Sequence, residues 1–248
     1  MLSAALALVL AQAAPLPNAH SHNDYWRPRP LEDALALGFC SIEADVFPVD
    51  GDLLVGHSKS ELRPERTLRK LYLEPLARRI AENGGRVYPG GPELVLLVDV
   101  KSGPEESYRL LREQIKPLEP WLGRAAPGAL RVVLSGARDR EAVLADDEHW
   151  IGLDGRPEDL GKDYPVVAMP LVSADWNAHF PWKGEGPMPA DQQAKLKDLV
   201  GRVHEEGRRI RFWGTPHRPS VWRELQAAGV DLIGADNLGM LADYLRPN

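Results

Sequence analysis

The sequence of 248 residues contains one cysteine, Cys40. No intramolecular disulfide can form, and no thiolate-based metal site can be assembled. Cys40 sits in the apolar run Gly38-Phe39-Cys40-Ser41-Ile42 and reads as a small buried hydrophobe. The chain also lacks a basic excess, since 30 Lys and Arg stand against 36 Asp and Glu for a net charge of −6. Sequence-independent nucleic-acid binding needs a basic face, so no nucleic-acid partner is expected. The same balance gives little electrostatic attraction to anionic membranes. No stretch is long and apolar enough for a transmembrane segment in the mature chain. No repeat, internal linker or low-complexity tract divides the sequence.

What is present begins with a leader. Leu2 to Leu10 is apolar, and Ala11-Gln12-Ala13 has the small-x-small form of a cleavage site, although no Lys or Arg precedes it. Residues 1–14 read as a signal peptide cleaved near Ala13-Ala14, which implies a secreted or periplasmic protein. Residues 15–248 then form one domain, and 44% hydrophobic residues suffice for a large core.

Strand-like and helix-like segments alternate along that domain, the pattern of an α/β fold with a parallel sheet. Strands are expected at Leu16–His22, Phe39–Phe47, Glu93–Lys101, Leu130–Leu134, Trp150–Leu153, Val166–Leu171, Arg208–Trp213 and Val230–Gly234. A tight turn at Val49-Asp50-Gly51-Asp52 sends Leu53–Gly56 back along the second strand. Helices are expected at Pro30–Leu37, Thr67–Glu82, Pro104–Ile115, Arg138–Ala145, Asp191–Glu206, Arg218–Ala228 and Leu238–Leu245. Eight strands in alternation favour a single (β/α)8 TIM barrel over an open sheet, and the length suits one. The longest irregular stretch is Ser173–Pro189. Its segment Trp176–Trp182 is open to two readings: transient contact with a lipid surface or cover for a substrate, or a loop packing its own aromatics.

Polar residues collect at the carboxy-terminal ends of the early strands. Glu43 and Asp45 lie at i and i+2 and project from one face of a buried strand. Two shielded carboxylates side by side need neutralising, and a hard divalent cation does that. Asp99 ends the apolar strand Leu94–Val98 and reaches the same barrel face, with Lys101 two residues on to hold an anionic oxygen. His20 and His22 also stand at i and i+2, and the Asp50-Gly51 turn returns His57 toward Glu43 and Asp45. Two histidines beside a cation suit phosphodiester cleavage, one taking a proton from the attacking hydroxyl and the other giving one to the leaving oxygen. Trp213 ends a late strand on the same face; a core tryptophan is its plain alternative. Asp236 and Asn237 precede the last helix and read as caps, and His217 and His179 read as exposed loop residues.

His20, Glu43-x-Asp45, Asp50-Gly51, Gly56-His57 and Asp99-x-Lys101 together resemble the phospholipase-C-like phosphodiesterase superfamily, which includes glycerophosphodiester phosphodiesterases and sphingomyelinase D toxins. His20-Ser21-His22-Asn23-Asp24-Tyr25-Trp26 and Val49 to His57 are most similar to a subgroup of it, the relatives of altered inheritance of mitochondria protein 6. The resemblance implies a (β/α)8 barrel, Mg²⁺ or Ca²⁺ held by Glu43, Asp45 and Asp99, and His20 and His57 as acid–base pair. It places Lys101 near the phosphate, Trp213 along the pocket and His22 among the substrate contacts, with a small phosphodiester or phospholipid as substrate. Glycerophosphodiesterases carry His-Arg-Gly on the first strand, whereas Ser21-His22 follow His20 here, so Arg27 or Arg29 is the candidate for the missing arginine.

Two other readings compete. His20-x-His22 also resembles amidohydrolase-like metallohydrolases, where both histidines bind Zn²⁺. A barrel can also serve as a non-catalytic exported binding protein.

Overall fold

The computed structural model describes residues 13–246, so residues 1–12 of the export signal expected at 1–14 lie outside the described part. The central strands are β1 (Leu16–Ser21), β2 (Phe39–Val49) and β4 (Leu94–Val100). They are joined by β5 (Leu130–Gly136), β6 (Ile151–Gly155), β7 (Leu171–Asp175), β8 (Arg209–Trp213) and β9 (Ile233–Ala235). These eight are parallel and run in the order β8-β7-β6-β5-β4-β2-β1-β9. A parallel bridge between Arg211 and Leu232 joins the two ends. The result is a nearly closed barrel, as expected. That single-bridge closure is the weakest seam, and β6–β7 is the next, pairing at Asp154–Leu171 and Gly155–Val172.

β3 (Asp52–Val55) is the antiparallel return from β2. Asp50 and Gly51 both take positive φ, 49° and 80°, which is the turn that matches strand twist and that Asp-Gly favours. The register Val46↔Val55 and the Gly56 N–H bond to the Asp45 carbonyl (3.1 Å) bring His57 back beside Asp45.

Helices α1 (Glu32–Ala36), α2 (Glu74–Glu82), α3 (Pro104–Ile115), α4 (Arg140–Ala145), α5 (Trp176–His179), α6 (Ala190–Glu205), α7 (Pro219–Ala228) and α8 (Leu238–Leu245) cover the barrel. Strand alternation divides the side chains. Leu94, Leu96, Val98 and Val100 join the large outer core with Leu76, Ile80, Leu110, Leu111 and Ile115 of the helices. Each such buried aliphatic contributes about 1.5–3 kcal/mol. Val95 and Leu97 point the other way and form a small inner cluster with Val133, Leu171 and Leu232. Above that apolar floor, the same inward positions carry His20, Ser41, Glu43, Asp45, Asp99, Ser135, Asp154, Ser173 and Arg211.

Three expected elements differ. The sixth strand begins at Leu171 rather than Val166. Pro165 and Pro170 bracket the apolar residues between them, and Ala168 and Met169 turn back onto the Pro165 carbonyl (3.0 Å each). Proline donates no ladder bond, so pairing starts after Pro170. The strand therefore continues through Ser173 into what reads as loop, and α5 follows it. Within that stretch, Trp176, Phe180 and Trp182 are buried together, and Trp176 Nε1 donates to the Trp182 carbonyl (3.1 Å). Those aromatics pack on the protein itself. The helix expected at Thr67–Glu82 opens with a π-helical turn, Arg69–Leu73, because Pro75 lacks the N–H for a regular turn. No described helix is long and apolar enough to cross a membrane.

Candidate active site

Glu43 and Asp45 leave β2 on one face, and each meets one histidine. His20 on β1 is buried; its Nε2 lies 3.0 Å from Glu43 Oε2 and its Nδ1 2.7 Å from Ser41 Oγ. Gly234, opposite it on β9, leaves the room beside the ring. Arg211 Nη1 lies 2.6 Å from Glu43 Oε2 and 2.7 Å from His20 Nε2. With Nδ1–H donated to Ser41, the guanidinium donates to both Nε2 and Glu43, which leaves those two acceptors 3.0 Å apart and held together by Arg211. Burial, with Arg211 adding, lowers the His20 imidazole to about 4 and keeps it neutral. Burial opposes ionisation of Glu43, but Arg211 and His20 outweigh it and hold the carboxyl well below the usual range.

Asp45 is fully buried and collects donors on one oxygen. Its Oδ2 accepts from Lys101 Nζ (2.8 Å) and His57 Nδ1–H (3.0 Å), and Tyr25 OH lies 2.7 Å away. Its Oδ1 is buried without a partner. The bond to Asp45 occupies His57 Nδ1 and leaves Nε2 of this half-exposed ring without a protein partner among the described residues. Trp26 packs beside that ring with centroids 5.6 Å apart. Lys101 also reaches Asp99 Oδ1 at 2.9 Å, and Asp45 and Asp99 are direct register partners. Burial lowers the Lys101 ammonium, but Asp45 and Asp99 outweigh it and raise it, while burial raises Asp99 itself. Gly136 lets the strand ends close here: a Cβ in its place would stand 2.6 Å from Asp99 Oδ1 and 2.4 Å from the Val100 carbonyl.

The structure thus brings His20 to Glu43, and His57 and Lys101 to Asp45 and Asp99. Glu43, Asp45 and Asp99 do not bring one oxygen each within 4.8 Å of the others; among the described residues the group meeting that spacing is His22, His217 and Asp236. Nor do His20 and His22 converge in that way with an acidic group, as the zinc reading requires. His22 Nδ1 instead lies 2.7 Å from Asp236 Oδ1, with its Nε2 4.0 Å from Glu43 Oε1. Burial lowers the His22 imidazole, but the Asp236 bond and the Glu43 charge outweigh it and raise it. Trp213 is 42% exposed and lines a cavity of about 170 Å³ with His20, His22, Arg211 and His217, so it belongs to the wall rather than the core.

Several groups here escaped the sequence. Arg29 pairs with Asp33, away from the cavity lining, and Arg27 donates to the His22 carbonyl while its charge acts on Asp236 and His217. The cation on the cavity floor is Arg211 from β8. Its signal is weak: Arg209, Arg211 and Trp213 alternate, which turns all three inward. Asp154 on β6 is also buried; its two oxygens accept from the Ser173 and Ser135 hydroxyls, 2.6 Å each, and Arg156 pairs with it at 2.8 Å. His217 lines the cavity rather than standing free in its loop. Asn237 caps α8, but Asp236 is spent on the two histidines.

Comparison with known proteins bears on the family and the barrel. A domain family described as an AIM6-like phosphodiesterase domain matches residues 9–87. The chain is 31% identical to altered inheritance of mitochondria protein 6 of Eremothecium gossypii, over 92% of this chain and 69% of that one. It is 28% identical to the protein of that name from Saccharomyces cerevisiae, over 97% and 74% respectively. Among solved structures, a glycerophosphodiester phosphodiesterase from Parabacteroides distasonis superimposes with a TM-score of 0.60 at 15% identity, covering 94% of this chain and 98% of that one. At that identity the likeness speaks for the barrel alone.

Proposed function

Because this chain belongs to the altered inheritance of mitochondria protein 6 family, within the phospholipase-C-like phosphodiesterases, we propose that it is a metal-dependent phosphodiesterase with His20 and His57 as its acid–base pair. One observation carries the reading: two imidazoles each lean on one of the two carboxylates that a single strand face presents, His20 on Glu43 and His57 on Asp45. A phosphodiester entering from the mouth meets cations on two sides, Arg211 at the floor and Lys101 at the rim. One imidazole accepts the proton of the attacking hydroxyl as the new P–O bond forms. The other gives a proton to the leaving oxygen as the old P–O bond breaks. His57, on its loop over the mouth, exchanges protons through Nε2 while Asp45 fixes its tautomer. His22 and Trp213 lie where the rest of the substrate would rest.

The donor chemistry fits a hard cation, Mg²⁺ or Ca²⁺, at Glu43, Asp45 and Asp99. Asp45 Oδ1 is an orphaned buried carboxylate oxygen. The interior carboxylates Glu43, Asp45, Asp99 and Asp154 also outnumber the cations Lys101, Arg156 and Arg211 that pair with them by one. Such an ion would offset charge on the phosphoryl oxygens. The substrate class that suits the site is a small phosphodiester or phospholipid.

The test is hydrolysis of bis(p-nitrophenyl) phosphate by the full chain with Mg²⁺, with Ca²⁺ and with EDTA, followed by a panel of glycerophosphodiesters, lysophospholipids and sphingomyelin. Metal-supported release that EDTA abolishes is expected. No turnover of any of these under any condition would overturn the reading in favour of a binding role.

A further inference from the structure

We propose that His22, His217 and Asp236 form a separate binding site for a borderline divalent ion of the Zn²⁺, Mn²⁺ or Co²⁺ class on the wall of the cavity. The three come from the ends of neighbouring strands. His22 follows β1, Asp236 follows β9, and His217 lies in the loop after β8. β1 pairs with β9, and the bridge at Leu232 joins that edge to β8. Barrel closure, rather than sequence proximity, assembles the site.

Asp236 stands between the two rings, with Oδ1 2.7 Å from His22 Nδ1 and Oδ2 3.3 Å from His217 Nδ1. The rings meet edge to face with centroids 6.2 Å apart. All three ligand atoms lie within 4.8 Å of one another. An ion with bonds of about 2.1 Å holds its ligands roughly 3–4 Å apart, so small side-chain rotations close the site.

Hydrogen bonding alone leaves the cluster in conflict. His22 Nδ1 faces the Asp236 carboxylate and, at 3.3 Å, the Asn23 side-chain amide nitrogen. His217 Nδ1 likewise faces Asp236 Oδ2 and the Asp236 backbone N–H at 3.4 Å. At His217 a protonated Nδ1 opposes the backbone N–H and an unprotonated Nδ1 opposes the carboxylate, so neither state suits both of its neighbours. A cation shared by the rings and the carboxylate removes the second conflict, since the ring nitrogens then bind it without a proton.

The donor set selects the ion. Two imidazoles and one carboxylate suit Zn²⁺ and its neighbours, whereas the all-oxygen set of Glu43, Asp45 and Asp99 suits Mg²⁺ or Ca²⁺. Three protein ligands leave positions open to water or to an anionic oxygen of a molecule in the cavity, as at reactive rather than structural ions. The side chains are 33%, 29% and 49% exposed, so an ion can enter from solvent.

The site is tested without substrate, so failure of phosphodiester turnover would leave it standing. The metal-free full chain is titrated with Co²⁺, read by visible absorption, and with Zn²⁺ in competition with a chromophoric chelator. The wild type is expected to take up the ion at this site. His217→Ala and Asp236→Asn should each weaken binding by more than about 100-fold, beyond the effect of losing an outer partner. Asp45→Asn should leave it in place. Absence of uptake by the wild type, unchanged affinity in both rim variants, or loss in Asp45→Asn instead would each overturn the proposal. Thermal melts confirm that the variants fold, and His22→Gln provides a third independent substitution.

Discussion

The base of the cavity and its rim handle charge in opposite ways. At the base, the Arg211 guanidinium serves Glu43, His20 and Ser173 at once, at 2.6, 2.7 and 2.8 Å. The Ser173 and Ser135 hydroxyls donate hydrogen bonds to the two oxygens of Asp154. The network is closed, with a partner for each of these charges. At the rim, Lys101, His57 and Tyr25 crowd onto one oxygen of Asp45, and the other oxygen has none. Asp99 and Lys101 are partly open, and His57 is half-exposed. A closed polar network rigidifies what it joins. An open one keeps lone pairs for something that arrives later. On the proposed reading, the base holds the shape of the site and presents His20, while the rim presents His57 and the open oxygen of Asp45.

The largest effect that would break this division is expected at the rim. His57→Ala should cut phosphodiester turnover by up to about 10⁴-fold, while urea unfolding shifts by less than about 0.5 kcal/mol, the usual range for an exposed position. Kinetics and unfolding on the same preparation check it. A variant that loses stability and keeps turnover would reverse the roles of the two regions. Arg211→Met should do the opposite in emphasis, costing about 3–5 kcal/mol because the Glu43 carboxylate is left buried and unpaired. The double variant Glu43→Gln, Arg211→Met should be more stable than Arg211→Met alone, since no stranded charge remains. Urea unfolding of the cycle measures the coupling, and additive losses would mean that the pair does not act as a unit.

The histidines and carboxylates of the early strands were legible in the sequence; Arg211, Asp154, Ser135 and Ser173 at the base were not. Glu43-Ala44-Asp45 announces itself because a strand turns i and i+2 to one face. Asp50-Gly51 shows where His57 must return because few dipeptides tolerate two positive φ angles. Asp99 is marked by the apolar run before it. Arg211 hides in a run of arginines, and only the closed barrel shows that it faces inward across from Glu43. Ser173 reads as loop because hydrophobicity cannot detect a strand whose inward residue is a hydroxyl serving Asp154. His217 and Asp236 meet only because β8, β9 and β1 adjoin at closure, a contact that no local spacing encodes. Local geometry is written locally; the partners of buried charges are fixed by register between distant strands.

The smallest effect is expected outside the barrel, where an ion pair lies between helices and solvent. Asp146 follows α4 and accepts from Arg112 Nε (3.1 Å), Arg112 Nη2 (3.2 Å) and Tyr108 OH (3.0 Å). Burial raises its carboxyl, but the Arg112 bonds outweigh it and hold it below the usual range. A carboxyl depressed on folding adds stability above its unfolded value of about 3.9 and loses it as pH falls through the folded value. Asp146→Asn should therefore cost about 1 kcal/mol or less at pH 7, and its melting curve should converge with the wild type as the pH falls through the folded value of the wild-type carboxyl. Thermal melts from pH 7 to strong acid measure this. Unlike Glu43, Arg112 keeps its hydration when its partner is lost, because its side chain is 31% exposed against 6% for Glu43. If Asp146→Asn proved as costly as Arg211→Met, enclosure by the barrel would not be what sets the base network apart, and its strength would have to come from bond geometry common to both places.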